Sequence, residues 1–224
     1  MKKMMALAAV CAALVFPWEL AAAQQADGIA RFEMKYDAGA RDRTQTPRLV
    51  ASCTVYLEPT EDGRQNQTTI GGSMTQALVA SGVTPWMTEA LMGLQQHGYR
   101  VLPVAHGHAM EPGVVLKTRV TRAYTWPFSM KIFGILAVHA QFTDLNGVTH
   151  NKYYRALGDK TNLNDGVSEY GVAMNYSVNN LQTAVARDLQ RLCKSEPVDA
   201  FTYAGPDDPL EPRVVGEASV ERDR

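Results

Sequence analysis

The alternation of apolar and polar residues along the chain predicts six strands and two amphipathic helices. Strands are predicted where apolar residues recur at every second position, and helices where they recur every three or four positions. The predicted strands cover residues 29–36, 49–57, 99–104, 114–121, 128–144 and 148–157, and the predicted helices cover residues 85–97 and 167–193. Residues 58–73 are polar, contain three glycines and show no apolar period, which predicts a long loop.

The clearest hairpin signal lies between residues 114 and 157. Val114, Leu116 and Val120 share one phase of a two-residue period, which is typical of an antiparallel strand with one solvated face. Trp126-Pro127 is predicted to end this strand, and Asn146-Gly147 is predicted to form the turn between the next two.

The two helices have recognisable ends. Thr84 is predicted to cap the first helix, with Pro85 at its first position and Gly98 after its end. A short turn is predicted within residues 76–80. The second helix carries a continuous apolar stripe, formed by Tyr170, Met174, Val178, Leu181, Val185, Leu189 and Leu192.

This order of elements predicts an α+β fold. We expect an antiparallel or mixed sheet with two helices packed on one face, which is a two-layer sandwich. The expected organisation is a signal peptide over residues 1–23, a single domain over residues 24–195 and a mobile C-terminal tail over residues 196–224.

The N-terminus has the three-part order of a secretory signal peptide. Lys2 and Lys3 precede an apolar run that reaches Trp18, and small residues then lead to Ala23, where we expect cleavage. Cys11 lies inside the apolar run after Val10, which argues against lipidation there. The expected location is the periplasm, and an association with the outer membrane stays open. No transmembrane helix is expected in the mature chain.

The charge and cysteine content narrow the function further. The formal net charge is −1, which gives no electrostatic reason to expect nucleic acid as a partner. Cys53 and Cys193 are a natural disulfide pair in an oxidising compartment, and the alternative is that each is a small buried apolar residue.

Catalytic and metal-binding patterns are weak. His106 and His108 share a turn but lack obvious further ligands, and His139 and His150 lie on predicted strands without a nucleophile beside them. No serine lies in a nucleophile elbow, and Gly71-Gly72 lacks the lysine of a phosphate-binding loop. We therefore expect no catalytic residues, no metal and no cofactor.

Two groups of residues are candidate binding sites. Tyr124, Trp126 and Phe128 concentrate aromatic rings near a predicted bend, where they either form a contact surface or fold back over the core. Asp62, Arg64 and Asn66 in the predicted loop either bind a ligand or partner or stabilise the loop itself, with Asp62 and Arg64 paired.

Several segments together resemble the YajG-like family of bacterial envelope lipoproteins. They are Asp62-Gly63-Arg64-Gln65-Asn66 with Ile70-Gly71, the helix leading to Gly98-Tyr99-Arg100-Val101, the strand ending Tyr153-Tyr154-Arg155, and Asn179-Asn180-Leu181. The resemblance covers roughly residues 48–195 and implies an α+β envelope protein without a catalytic centre. The family's lipidated cysteine after the signal is absent, so membrane anchoring does not carry over.

The sequence as a whole favours a non-enzymatic protein of the cell envelope that binds or scaffolds a partner. The expected partner is an envelope protein or peptidoglycan. One alternative is a carrier of a lipid or a peptidoglycan fragment in a groove between helix and sheet. Another is a metal protein or enzyme that uses the histidines.

Overall fold

The computed structural model describes residues 28–40, 53–73, 75–105, 112–162 and 166–205. The predicted signal peptide, the pair His106 and His108, and residues 206–224 of the predicted tail lie outside the described residues. The described chain contains ten strands, two α-helices and one 3-10 helix. In chain order they are β1 Ile29–Glu33, β2 Thr54–Leu57, β3 Glu61–Asp62, β4 Thr69–Gly72, β5 Ala77–Ser81, α1 Val83–Met92, the 3-10 helix Gly93–His97, β6 Arg100–Pro103, β7 Gly113–Phe128, β8 Lys131–Thr143, β9 Thr149–Thr161, α2 Val167–Leu192 and β10 Phe201–Ala204.

The strands form one sheet organised around the long strand β7. On one side β7 pairs antiparallel with β8, which pairs antiparallel with β9, and β10 adds to β9 in parallel. On its other side β7 pairs in parallel with β2, then β3, then β4. β6 lies beside β2, β5 beside β4 and β1 beside β5. The prediction of an α+β fold with a mixed sheet and two helices is therefore confirmed.

The region between residues 58 and 81 differs from its prediction as a loop followed by a short turn. It contains β3, β4 and β5, with Glu61 opposite Arg119 and Gly71 opposite Thr125 on β7. β3 and β4 are short and largely polar, and β7, the strand with which both of them pair, lies far along the chain, so neither shows a local two-residue period. β5 is apolar but only five residues long, and it pairs with β1 and β4.

The prediction that Trp126-Pro127 ends the strand is wrong, because β7 continues to Phe128 and the chain turns at Ser129, whose φ is 55°. β7 pairs with β4 at Thr125, and no described strand pairs with β7 on that side after this residue. Proline lacks a backbone N–H and is tolerated where a strand has such a free edge. Tyr124, Trp126 and Phe128 therefore lie on a strand rather than at a bend.

The start of α1 also differs from its prediction. Gly82, with a φ of 75°, is the N-cap, and its carbonyl oxygen accepts a hydrogen bond from the Trp86 amide at 2.9 Å. Thr84 lies inside the first turn and caps nothing. The left-handed conformation that turns the chain from β5 into α1 favours glycine, and this places the cap two residues before Thr84.

Helix α2 covers one face of the sheet. Its buried residues include Tyr170, Met174, Val178, Leu181 and Leu189, and they share a core with the inward residues of β7, β8 and β9. Helix α1 joins the same core through polar contacts as well as apolar ones. The Trp86 indole donates a hydrogen bond to Asn175 Oδ1 at 2.9 Å.

Two glycines allow α2 to approach the sheet closely. Gly134 on β8 is directly opposite Gly158 on β9. A Cβ atom at Gly134 would overlap the carbonyl group of Ala173, and one at Gly158 would overlap the amide of Ser177. The backbone of α2 therefore rests on this point of the sheet.

The disulfide between Cys53 and Cys193 is present, with the two Cα atoms 5.6 Å apart. It joins the segment just before β2 to the end of α2. The predicted domain ends at residue 195, whereas the described sheet continues to β10, where Phe201 lies opposite Tyr153 on β9. Among the described residues, no helix is both long enough and apolar enough to span a bilayer.

Candidate functional site

The face of β7, β8, β9 and β10 that points away from α2, which we call the outer face, carries exposed aromatic rings. On β7 the buried residues Ala123 and Thr125 alternate with outward Tyr124, Trp126 and Phe128. The aromatic residues of the outer face that are largely exposed are Tyr124, Trp126, Phe128, Tyr153, Phe201 and Tyr203. These rings therefore lie on a part of the outer face that no described element covers.

The tip of the hairpin shows the greatest exposure. Trp126 is 51% exposed and Phe128 is 62% exposed, and their ring centroids lie 5.7 Å apart. At these exposures neither ring folds back over the core. Farther from the hairpin tip, His139 on β8 stacks on Tyr153 on β9, with ring centroids 4.7 Å apart.

A groove of about 700 Å³ runs across the outer face, which we call the arginine groove. One wall is the segment from Gly63 to Gly71, and the floor comes from β7, β8 and β9. Its lining includes the side chains of Arg64, Gln65, Arg122, Tyr124, Ile135 and Arg155. No aspartate or glutamate of the described residues lines it.

Arg122 and Arg155 lie in one row across the sheet. Both pair with Ala137, Arg122 from β7 and Arg155 from β9, and both are exposed. Within the part of the chain that the structure describes, neither guanidinium has a hydrogen-bond or ion-pair partner. These two unpaired positive charges make the floor of the arginine groove electropositive.

The acidic residues near the groove are already paired. Glu61 lies 2.8 Å from the Lys117 ammonium, whose pKa is raised chiefly by that hydrogen bond, and Asp159 pairs with Lys131 at the hairpin tip. The positive charge of Arg122 and Arg155 is therefore not balanced by either carboxylate.

The predicted candidates Asp62, Arg64 and Asn66 mainly hold their own segment together. Arg64 Nε and Nη2 donate to the two carboxylate oxygens of Asp62 at 2.9 and 2.8 Å, and this hydrogen bonding lowers the pKa of Asp62. Asn66 Oδ1 accepts hydrogen bonds from the Thr68 and Thr69 amides, each at 3.0 Å. These contacts are those of a turn that fixes the wall of the arginine groove.

His139 and His150 lie on opposite faces of the sheet. His139 lies on the outer face opposite Tyr153, whereas His150 lies opposite Phe142 and its Nε2 is 3.1 Å from Asp144 Oδ2. The two imidazoles therefore do not face each other across the hairpin. The described residues contain no group of three or more histidine, cysteine, aspartate or glutamate side chains placed to hold a metal ion.

Neither of the two groove arginines, Arg122 and Arg155, was predicted from the sequence as a site residue. A bulge between Val120 and Arg122 shifts the phase of β7, so Arg119 and Arg122 are both exposed although they are three residues apart. For Arg155 the sequence did contain a signal of its exposed position, because it lies two residues from Tyr153 on the same strand and therefore on the same face.

The fold and the outer face define a class, namely a sheet-rich α+β protein with one face covered by a helix and the other face open, aromatic and basic. The sequence matches no protein-family model and no curated protein sequence.

Several solved structures are similar to this chain in outline. A Xanthomonas campestris protein of the family described as DUF330 is 6% identical, with a TM-score of 0.48 over 75% of this chain and 97% of its own. A minor lipoprotein from Acinetobacter baumannii is 10% identical, with a TM-score of 0.40 over 65% of this chain and 94% of its own. A lipoprotein from Neisseria meningitidis is 16% identical, with a TM-score of 0.31 over 61% of this chain and 97% of its own.

TM-scores below 0.5 at these identities do not establish a shared family. The resemblance to the YajG-like family therefore stays a prediction.

Proposed function

We propose that this chain is a non-enzymatic binding protein of the bacterial cell envelope, exported to the periplasm, which holds a protein partner on its outer face. The observation that carries the proposal is the exposure of Trp126 and Phe128 beside Tyr124 on a sheet face without a covering element. Aromatic residues and arginine are the types enriched at the centres of protein interfaces. Export is supported by the N-terminal signal pattern and by a disulfide, which persists in oxidising compartments.

The alternative of a lipid carrier has less support from the structure. At Gly134 and Gly158 the helix rests directly on the sheet, so the space beneath α2 is filled there. A cavity of about 350 Å³ lies between β1 and α2, beside Phe32 and Val172. This volume is near the lower end of the range of ligand pockets, which favours the outer face as the binding surface.

The test compares two double variants in a pull-down from an envelope extract of the native host. We expect Trp126→Ala/Phe128→Ala to lose a partner that the wild-type protein retains, because the variant removes the two neighbouring exposed rings at the hairpin tip. Its melting temperature should stay within a few degrees of wild type, since exposed side chains contribute little to stability.

The matched control is Leu145→Ala/Val148→Ala, which removes two exposed apolar side chains in the turn between β8 and β9. This variant should keep the partner. If Trp126→Ala/Phe128→Ala retains the partner as well as the wild-type protein does, the proposed function is refuted.

A further inference from the structure

The arginine groove goes beyond a general contact surface, because its chemistry selects a type of partner. We propose that it binds the carboxylate side chains of an acidic segment of the protein partner, with an apolar residue of that segment packing beside Tyr124. This proposal rests on the proposed function and adds the chemical class of what is bound.

The spacing of the two arginines suits an extended chain. Arg122 and Arg155 are separated by one strand, so their Cα atoms lie about 10 Å apart across the sheet. The residue between them is Ala137, whose short side chain leaves the floor of the groove open. A guanidinium can donate two parallel hydrogen bonds to one carboxylate, so the row offers two positions for acidic side chains.

The charge distribution favours an anion over a neutral ligand. Arg122 and Arg155 have no ion-pair partner within the described residues, while Glu61 and Asp159 are neutralised by lysines. Arg64 lies inside the wall of the groove. Its side chain is 4% exposed, and its Nη1 has no hydrogen-bond partner in the described part of the chain.

The shape and the lining favour a protein segment. The wall formed by residues 63–71 makes the site concave, which suits an extended chain better than the flat surface of a bilayer. Tyr124 and Ile135 provide apolar contact next to the arginines, and Trp126 continues the surface along β7. Tyrosine, tryptophan and arginine are the residues that dominate binding energy at protein interfaces.

The experiment uses a random peptide library of about twelve residues displayed on phage and selected against the wild-type protein. Each enriched peptide is then synthesised with a fluorescent label, and its Kd is measured by anisotropy. We expect the selected peptides to be enriched in aspartate and glutamate, and we expect Arg122→Ala/Arg155→Ala to raise the Kd by about tenfold or more. Added salt should weaken binding to the wild-type protein, because the attraction is electrostatic.

The charge-matched control is Lys35→Ala/Arg191→Ala, which removes two positive charges away from the outer face. Both residues have only exposed ion pairs, at 3.5 Å with Glu33 and 3.8 Å with Asp199. This control should bind the peptides like wild type. An equal loss of affinity in the control and in the groove variant would overturn the proposal, because net charge alone would then explain the binding.

The remaining outcomes separate the groove from the proposed function. If the selected peptides are not enriched in acidic residues and their binding is lost in Trp126→Ala/Phe128→Ala, the groove proposal is overturned and the proposed function stands. Peptide binding that depends on neither double variant would overturn both. Phosphatidylglycerol vesicles and alginate serve as parallel probes, and arginine-dependent binding of either one without acidic peptide binding would overturn the groove proposal in favour of a lipid or a glycan.

Discussion

Lys152 lies in the core, although lysine side chains are almost never fully buried unless they are paired. It is completely buried, and its Nζ lies 2.7 Å from Asp188 Oδ2 on α2. Tyr154 donates a hydrogen bond of 2.6 Å to the same oxygen, and burial raises the pKa of Tyr154 well above its usual range, with the Asp188 charge adding to the effect. The three side chains form a polar connection between β9 and α2 inside the core.

We predict that Asp188→Ala lowers the free energy of unfolding by about 3–5 kcal/mol. The variant leaves the Lys152 ammonium buried without a counter-charge, which is the costly way to break a buried pair. Urea unfolding followed by circular dichroism measures the change. The double variant Lys152→Met/Asp188→Leu should recover only part of the loss, because it removes the buried charge but leaves the Tyr154 hydroxyl without its acceptor. A double variant as unstable as Asp188→Ala would show that the charge is not the cause.

Single residues were only partly predictable from the sequence. The sequence concentrated the rings of Tyr124, Trp126 and Phe128 near one predicted bend, but it could not decide whether the rings were exposed. In the sequence Lys152 looks like a solvated strand residue, because its partner Asp188 lies 36 residues further along the chain, on α2. Contacts of that separation leave no pattern in a local window of sequence.

Helix α2 is the element that the sequence predicted best, since its long apolar stripe has an unbroken helical period. The sequence did not indicate how closely the helix packs on the sheet. That distance depends on Gly134 and Gly158, which become neighbours only when β8 and β9 pair.

We predict that Gly158→Ala destabilises the protein by about 1–3 kcal/mol, because a methyl group there must displace the backbone of α2. The matched control is the same substitution at Gly171 inside α2, where a Cβ atom would meet only the Phe32 ring at an ordinary 3.8 Å. Gly171→Ala should be neutral or stabilising, because alanine has the higher helix propensity. Urea midpoints of the two variants on the same side of wild type would contradict this account of the helix–sheet contact.

At the scale of the whole molecule, the sheet has one face covered by α2 and one face open. The sequence predicted a mixed or antiparallel sheet with two helices, but it could not predict the order of the strands. β2, β3 and β4 follow one another along a single edge of β7, and each of these pairings joins segments more than 50 residues apart. The bulge in β7 then places Arg122 on the open face.

The central claim is that the outer face is where the partner binds, and site-specific photo-crosslinking in intact cells of the native host tests it most directly. A photoreactive residue replaces Phe128 on the outer face in one variant and Lys194, after the end of α2, in another. We predict a discrete crosslinked product of one partner from position 128 and none from position 194. No product from position 128, or the same product from both positions, would contradict the claim.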